Sequence, residues 1–393
     1  MAVSDGQGAE LTRLRSKRGG RLAKRFIDAG ALDDMTASFP AALAAIRKRP
    51  EAELAIDAFG RRLWQRCVEM ASIDHPRREL VGWDDRPLYW ARLAMLAQLR
   101  DWRPKFGADD ETRARWERRF EWASRGITSV GFGSEPQTAR TILVSGFDPF
   151  RLEGEPRASN PSGSIALALD GQVIEAGSTT VRFASVILPV RYADFDAGIT
   201  EKVFGPYIED GPHRVDAVVT TSQGRPGQFD VEGFFGRRRS PDGTRDNDGV
   251  LIDSAPESAE AGAGMAAGPE FLATTLPVER MLAATGASAV LPNRSVVEVV
   301  DGAKSPTVSP DGPTPGSRAV RGSGGGFLSN EIAYRVALLR DASDRPPRTG
   351  HLHVPRPAPQ LDDGELTDPD FDDERAGVVA QARELVIAAA LGG

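Results

Sequence analysis

The loop Gly324-Gly325-Gly326-Phe327-Leu328 delivers one hydroxyl, that of Ser329, to the start of a segment in which Ile332, Ala333, Val336, Ala337 and Leu339 recur with helical spacing. That periodicity predicts a helix beginning near Ser329. At a helix start the unpaired backbone N–H groups and the positive end of the macrodipole favour an oxyanion or a deprotonated nucleophile. Serine is equally a common N-cap, so a nucleophile and a cap both stand as readings of this position.

A serine hydroxyl is almost wholly protonated at neutral pH, so nucleophilic chemistry needs a neighbouring base and a group that orients it. The chain holds four histidines. His75 falls among helical patterns, and His213 precedes a strand, where a surface or turn role accounts for it. His351 and His353 flank Leu352 in Gly350-His351-Leu352-His353-Val354-Pro355. Strand residues two apart point to the same face, so both rings are expected toward one cleft. A packed strand histidine and a catalytic base remain open readings for each. The lone cysteine, Cys67, excludes an intramolecular disulfide framework and a multi-cysteine metal site. It falls in the stripe Ile56, Phe59, Leu63, Cys67, Met70, one face of a helix, and is expected as a core thiol.

The elements that must position these groups follow from length and pattern. At 393 residues with 40% hydrophobic content, the chain can bury a large core. Residues 1 to about 135 show only helical spacing, as in Leu93, Leu96 and Leu99, with loops expected near Phe39-Pro40, Arg49-Pro50 and Trp83-Asp84-Asp85-Arg86-Pro87. From 136 to 393 short β-branched runs alternate with helical patterns. Strands are expected at Thr141–Phe147, Val181–Val190, Val215–Ser222, Ser288–Pro292, a run ending near Arg321, and His351–Pro355. Asn160-Pro161-Ser162 reads as an N-cap followed by proline at the first helical position, and the stretch around Val378, Ala382, Leu385 and Ile387 as a closing helix. The fold class is therefore α/β, a mainly parallel sheet flanked by helices and preceded by an all-helical extension. Catalytic groups in such folds gather at the carboxyl ends of strands. Ser254–Pro269, Asp301–Arg318 and Arg356–Asp373 are poor in apolar residues and are expected as loops or disordered insertions.

The formal charge of −7 argues against bulk nucleic-acid binding. The basic run Arg13, Arg15, Lys17, Arg18, Arg21, Lys24 and Arg25 reads either as a site for an anionic partner or as a solvated helix face or arm. No apolar run reaches membrane-spanning length and no compact hydrophobic leader is present, so a cytoplasmic location is expected.

Three groups of motifs, in order, resemble the pyroglutamyl peptidase I (pyrrolidone-carboxylate peptidase) family of cysteine peptidases. Val144-Ser145-Gly146-Phe147-Asp148-Pro149-Phe150 with Asn160-Pro161-Ser162 is similar to its TGFxPF and NPS start. Gly224-Arg225, Asp230-Val231-Glu232 and Asp246-Asn247-Asp248-Gly249 are similar to its GR, glutamate and PDNxG segments. Leu276-Pro277-Val278, the run Ser323 to Tyr334 and His353-Val354-Pro355 are similar to its LPV, nucleophile and IHxP segments. The likeness spans about 141 to 390. It implies a catalytic triad at Glu232, Ser329 and His353, with serine where the family has cysteine. Substrate contacts would come from Phe147, Phe150, Asn160, Gly224, Arg225 and Leu328. The resemblance further implies a peptide or small amide substrate, no metal or other cofactor, and a homo-oligomer. Departures from the family's pattern are Gly233 and Gly243 at positions where arginine is usual, Glu331 where histidine is common, and an insertion over about 293–318. A catalytically inactive binding or scaffolding homologue, or an amidase for a modified substrate, is the alternative.

Overall fold

The computed structural model describes residues 8–72, 79–132, 139–241, 243–252, 268–284, 286–357 and 364–391. Six helices come first: α1 (Gly8–Arg15), α2 (Lys17–Ala29), α3 (Asp33–Ala45), α4 (Arg49–Ala71), α5 (Asp85–Asp101) and α6 (Asp110–Ala123). Ser16, Asp84 and Asp109 cap α2, α5 and α6, each side chain accepting a first-turn amide, the usual way of satisfying an orphan N–H. Pro40 does not break the chain as its sequence signal predicts, but lies inside α3. A proline there leaves the carbonyl four residues earlier without its helical donor. That carbonyl, of Thr36, accepts from Gln98 Nε2 of α5 at 3.2 Å. The expected loops at Arg49-Pro50 and Pro87 are likewise helix starts, where proline costs little.

The helices enclose Trp64, Trp90, Trp116, Phe26, Phe39 and Phe120, all fully buried. Cys67 is among these core residues, and burial pushes its thiol up to about 12. The same cluster takes in Leu152, Ala166, Leu167 and Ile187 from the following part of the chain, so the helical and α/β parts share one hydrophobic core. The basic run is ordered within α1 and α2: Arg13 reaches Tyr89 Oη at 2.9 Å, and Arg15, Lys17, Arg18, Arg21 and Lys24 face solvent.

The α/β part continues with β1 (Arg140–Phe147), α7 (Pro161–Leu169), β2 (Val173–Ala176), β3 (Thr179–Leu188), α8 (Tyr192–Asp196), α9 (Ile199–Ile208), β4 (Ala217–Gln223), β5 (Gln228–Glu232), β6 (Phe234–Gly236) and β7 (Phe271–Ala273). Then follow α10 (Val278–Leu282), β8 (Ala289–Asn293), β9 (Val296–Val299), β10 (Thr307–Ser309), β11 (Arg318–Arg321), α11 (Leu328–Asp341), β12 (Arg348–Val354) and α12 (Pro369–Leu391). The main sheet has seven strands in the order β2-β3-β1-β4-β12-β5-β8. β3, β1, β4 and β12 are mutually parallel, and β5 and β8 run against them. α12 and α7 pack an apolar cluster on one face, and α9 and α11 pack another on the opposite face, the double cover that lets parallel strands be apolar throughout. Among the described residues no helix is long and apolar enough to cross a membrane.

The expected loop Asp301–Arg318 is instead built into a three-stranded antiparallel sheet, β10-β9-β11. Its organiser is Glu298, whose buried carboxylate accepts from Thr314 N at 2.7 Å, Thr314 Oγ1 at 2.6 Å and Ser317 Oγ at 2.5 Å. Apolar content underestimates order there because hydrogen bonds to one carboxylate tie the turns. Most of Ser254–Pro269 lies outside the described residues, and the expected loop Arg356–Asp373 ends early, since α12 begins at Pro369.

Candidate active site

The central parallel pair sets the site. Thr220 lies opposite His351 and Ser222 opposite His353 in the β4–β12 register, so these four side chains share one face, as strand pleating requires. The two imidazoles meet edge to face with centroids 4.7 Å apart. β5 then brings Glu232 alongside: its Oε1 lies 2.7 Å from His353 Nδ1 and also accepts from Asn293 Nδ2 at 3.3 Å. Glu232 is 1% exposed, and its Oε2 has no hydrogen-bond partner. When a carboxylate oxygen accepts from Nδ1, the neutral form of the ring carries its proton there and keeps a lone pair on Nε2. Gly224 is required beside this ring, since a Cβ at that position would stand 2.8 Å from His353 Cβ.

The helix expected after Ser329 is α11, and its N-cap residue is Phe327, which makes no side-chain cap bond. The cap reading of Ser329 is therefore corrected. Ser329 is the second helical residue, 8% exposed, and its Oγ donates to Gly324 O at 3.2 Å. Gly324 is the link between hydroxyl and imidazole: a Cβ there would lie 3.1 Å from His353 Cε1 and 3.5 Å from Glu232 Cγ. The start of α11 is pinned by its neighbours. Asn330 Oδ1 accepts from Gly236 N at 2.8 Å while its Nδ2 donates to Gly236 O at 2.7 Å. Fully buried Glu331 pairs with Arg239 at 2.6 Å and Arg335 at 3.1 Å.

Ser329 opens on a small cleft lined by Phe147, Phe150, Asn160, Val190, Ser222, Gln223, Phe327, Leu328 and Ser329 itself. Phe150 stacks on Phe327 at 6.2 Å, and Tyr192 meets Phe327 edge to face at 5.4 Å. Of the residues singled out in the sequence, Phe147, Phe150, Asn160 and Leu328 come together here with Ser329. Gly224 lies behind, against His353. Arg225 does not join them: it is largely exposed and bound to Asp230 Oδ1 at 2.7 Å. Ser222, Gln223, Val190 and Phe327 were not anticipated, although Ser222 and Gln223 directly precede the Gly224-Arg225 motif at the end of β4.

The helical part holds the outer wall. Asp148 accepts from Arg92 of α5 and, at 2.6 Å, from Arg125 after α6; all three are buried. Its backbone carbonyl accepts from Asn160 Nδ2 at 2.9 Å, and Asn160 N donates to Asp85 of α5 at 2.8 Å. Burial pushes the Asp85 carboxyl up to about 6 against the pull of Arg375. His213 is exposed in the turn after α9, and His75 lies outside the described residues.

Fold and site together define a class: an α/β protein of mainly parallel sheet, with a histidine–glutamate pair beside a serine-lined cleft at the strands' carboxyl ends. Residues 3–121 match the family described as PA0049 N-terminal domain, and residues 141–261 and 292–357 the family described as PA0049, C-terminal domain. A Pseudomonas aeruginosa protein described as uncharacterized protein PA0049 is 30% identical over 466 aligned positions, covering 93% of this chain and 84% of that protein. The chain belongs to the PA0049 family. Among solved structures, a pyrrolidone carboxyl peptidase variant from Pyrococcus furiosus aligns at 19% identity and TM-score 0.42, over 63% of this chain and 97% of that one. Pyroglutamyl peptidase I from Bacillus amyloliquefaciens aligns at 18% identity and TM-score 0.42, over 64% of this chain and 96% of that one.

Proposed function

We propose that the chain is a hydrolase that cleaves an N-terminal pyroglutamyl or related small amide, with Ser329 as nucleophile, His353 as base and acid, and Glu232 as the group that orients His353. The observation that carries this reading is the Glu232–His353 bond of 2.7 Å, which frees His353 Nε2, next to the glycine that receives the Ser329 hydroxyl. In the reaction Ser329 Oγ turns from Gly324 O to His353 and attacks the amide carbonyl carbon as its proton passes to Nε2. Asn330 N and Glu331 N already donate to Phe327 O at 3.1 and 3.2 Å, so the amides left to hold the developing oxyanion at the start of α11 are those of Leu328 and Ser329. The C–N bond breaks as His353 protonates the leaving amine, and water, activated by the same imidazole, releases the acyl group. Unbound sites commonly hold such hydrogen bonds loosely.

The Ser329–Gly324 hydrogen bond also favours a second reading, a binding protein whose serine is committed to the backbone. Hydrolysis of a fluorogenic pyroglutamyl amide by the wild type, Ser329→Ala and Ser329→Cys, each checked for folding, separates them. Wild-type turnover lost in the alanine variant supports the serine hydrolase. Turnover in the cysteine variant alone means the pocket survives without native serine chemistry, and silence in all three favours the binding role or another substrate.

A further inference from the structure

We propose that Ser222 is a specificity-determining residue of this cleft: a hydrogen-bond acceptor, fixed in that polarity by His351, that takes an N–H donor carried by the acyl group of the substrate. The inference rests on the amide-hydrolase reading for what fills the cleft, but its own basis is separate, a chain of hydrogen bonds running back from the cleft wall into the sheet.

Thr220 Oγ1 lies 3.1 Å from Gly350 O and 2.8 Å from His351 Nδ1. A carbonyl only accepts, so the single hydroxyl proton of Thr220 goes to Gly350, and Thr220 receives the proton on Nδ1. His351 is wholly buried, with His353 packed against it, and it is held neutral by desolvation. A neutral ring protonated at Nδ1 has a bare Nε2. Ser222 Oγ stands 2.8 Å from that Nε2 and must donate to it. Its one proton is then spent, and what Ser222 offers to the cleft it lines is lone pairs.

The surrounding wall sharpens the effect. Phe147, Phe150, Val190, Phe327 and Leu328 are apolar, and the Asn160 oxygen already accepts from Ser162 N at 3.2 Å and Ser162 Oγ at 2.7 Å. A ligand with N–H toward Ser222 satisfies the acceptor. One with a ring oxygen there sets lone pair against lone pair, which a buried polar site penalises. The contact forms no covalent bond and moves no proton, so it acts on which acyl group binds rather than on the chemical step.

The test is binding to the full chain carrying Ser329→Ala, so that turnover does not enter. Two probes of nearly equal shape are compared by ligand-observed NMR: 2-pyrrolidinone, which presents N–H, and γ-butyrolactone, which presents oxygen. The lactam is expected to bind at least about tenfold more tightly, with the preference lost in Ser222→Ala on the same background. Equal affinities, binding of neither probe, or a preference that survives Ser222→Ala overturns the proposal. Imidazole ¹⁵N spectra of the wild type, which need no variant to fold, are expected to show His351 neutral with Nδ1 protonated; a bare Nδ1 overturns it as well. Because these readouts omit the Ser329 hydroxyl, failure of serine-based hydrolysis and failure of this recognition are told apart.

Discussion

His351 and His353 stand two residues apart on β12 with rings in edge-to-face contact, yet they are held by different partners: Thr220 and Ser222 for the first, Glu232 for the second. One ring spends both nitrogens on neutral hydroxyls inside the sheet. The other gives Nδ1 to a carboxylate, at 2.7 Å. Two chemically identical residues thereby receive distinct surroundings from the neighbours their strand is laid against.

If Glu232 orients His353, then Glu232→Gln and His353→Ala should each lower kcat by about 10²-fold or more, the usual span of general acid–base catalysis. Far-UV circular dichroism should stay unchanged. Glu232→Gln with full activity on a substrate the wild type hydrolyses would remove the glutamate from the mechanism.

Gly224→Ala is expected to act through His353. The added methyl would stand 2.8 Å from His353 Cβ, an atom fixed to the backbone of β12, and cannot be relieved by a side-chain rotation. Activity should fall with the chain still folded, read by steady-state kinetics beside a melting curve. Wild-type kinetics would show that β4 and β12 part without disturbing the ring.

Cys67 should be silent toward alkylation of the native protein. Its thiol is buried in the helical core and pushed up to about 12 by desolvation, so thiolate is scarce at neutral pH. Iodoacetamide should leave hydrolysis intact and modify the chain only in denaturant, followed by intact-mass measurement. Rapid labelling with loss of activity in the native state would contradict the serine assignment.

Asp148→Ala removes the carboxylate between two buried guanidinium groups, Arg92 and Arg125. An uncompensated buried charge costs about 3–5 kcal/mol. Urea unfolding should therefore move to markedly lower midpoint, and amide exchange of residues 148–160 should quicken. A loss below about 1 kcal/mol would mean that water replaces the carboxylate and that the helical part does not brace this wall.

Asp248 supplies a pH signature. Burial, with Glu10, Asp246 and Asp194 adding to it, pushes its carboxyl up to about 7, above its unfolded value. The folded chain then holds the proton more tightly than the unfolded chain, so this group's contribution is favourable at low pH and is lost as pH rises from about 4 to 7. Asp248→Asn should raise Tm at pH 8 by about 2 °C, a modest figure because the group is partly exposed, and the gain should shrink toward pH 4. An equal shift at both pH values would place the effect in packing.

Much of this molecule is determined by its residues alone. Continuous apolar runs such as Ile142–Val144 and Ala217–Val219 read as buried strands, Asn160-Pro161 as a helix start, and the Cys67 stripe as a core face, because each rests on local periodicity or capping. The same locality misled at Pro40, where a donor from α5 repairs the helix, and at Asp301–Arg318, where Glu298 orders a composition that reads as loop. What only the tertiary structure decided is which groups touch. Ser222 and His351 are 129 positions apart in sequence, and Glu232 and His353 are 121 apart. Their contacts come from strand order, β4 beside β12 beside β5, which is a property of how the sheet closes its core and has no local signal. The polarity of Ser222 depends on the same arrangement, since one hydroxyl proton can be assigned only when every acceptor around it is in place.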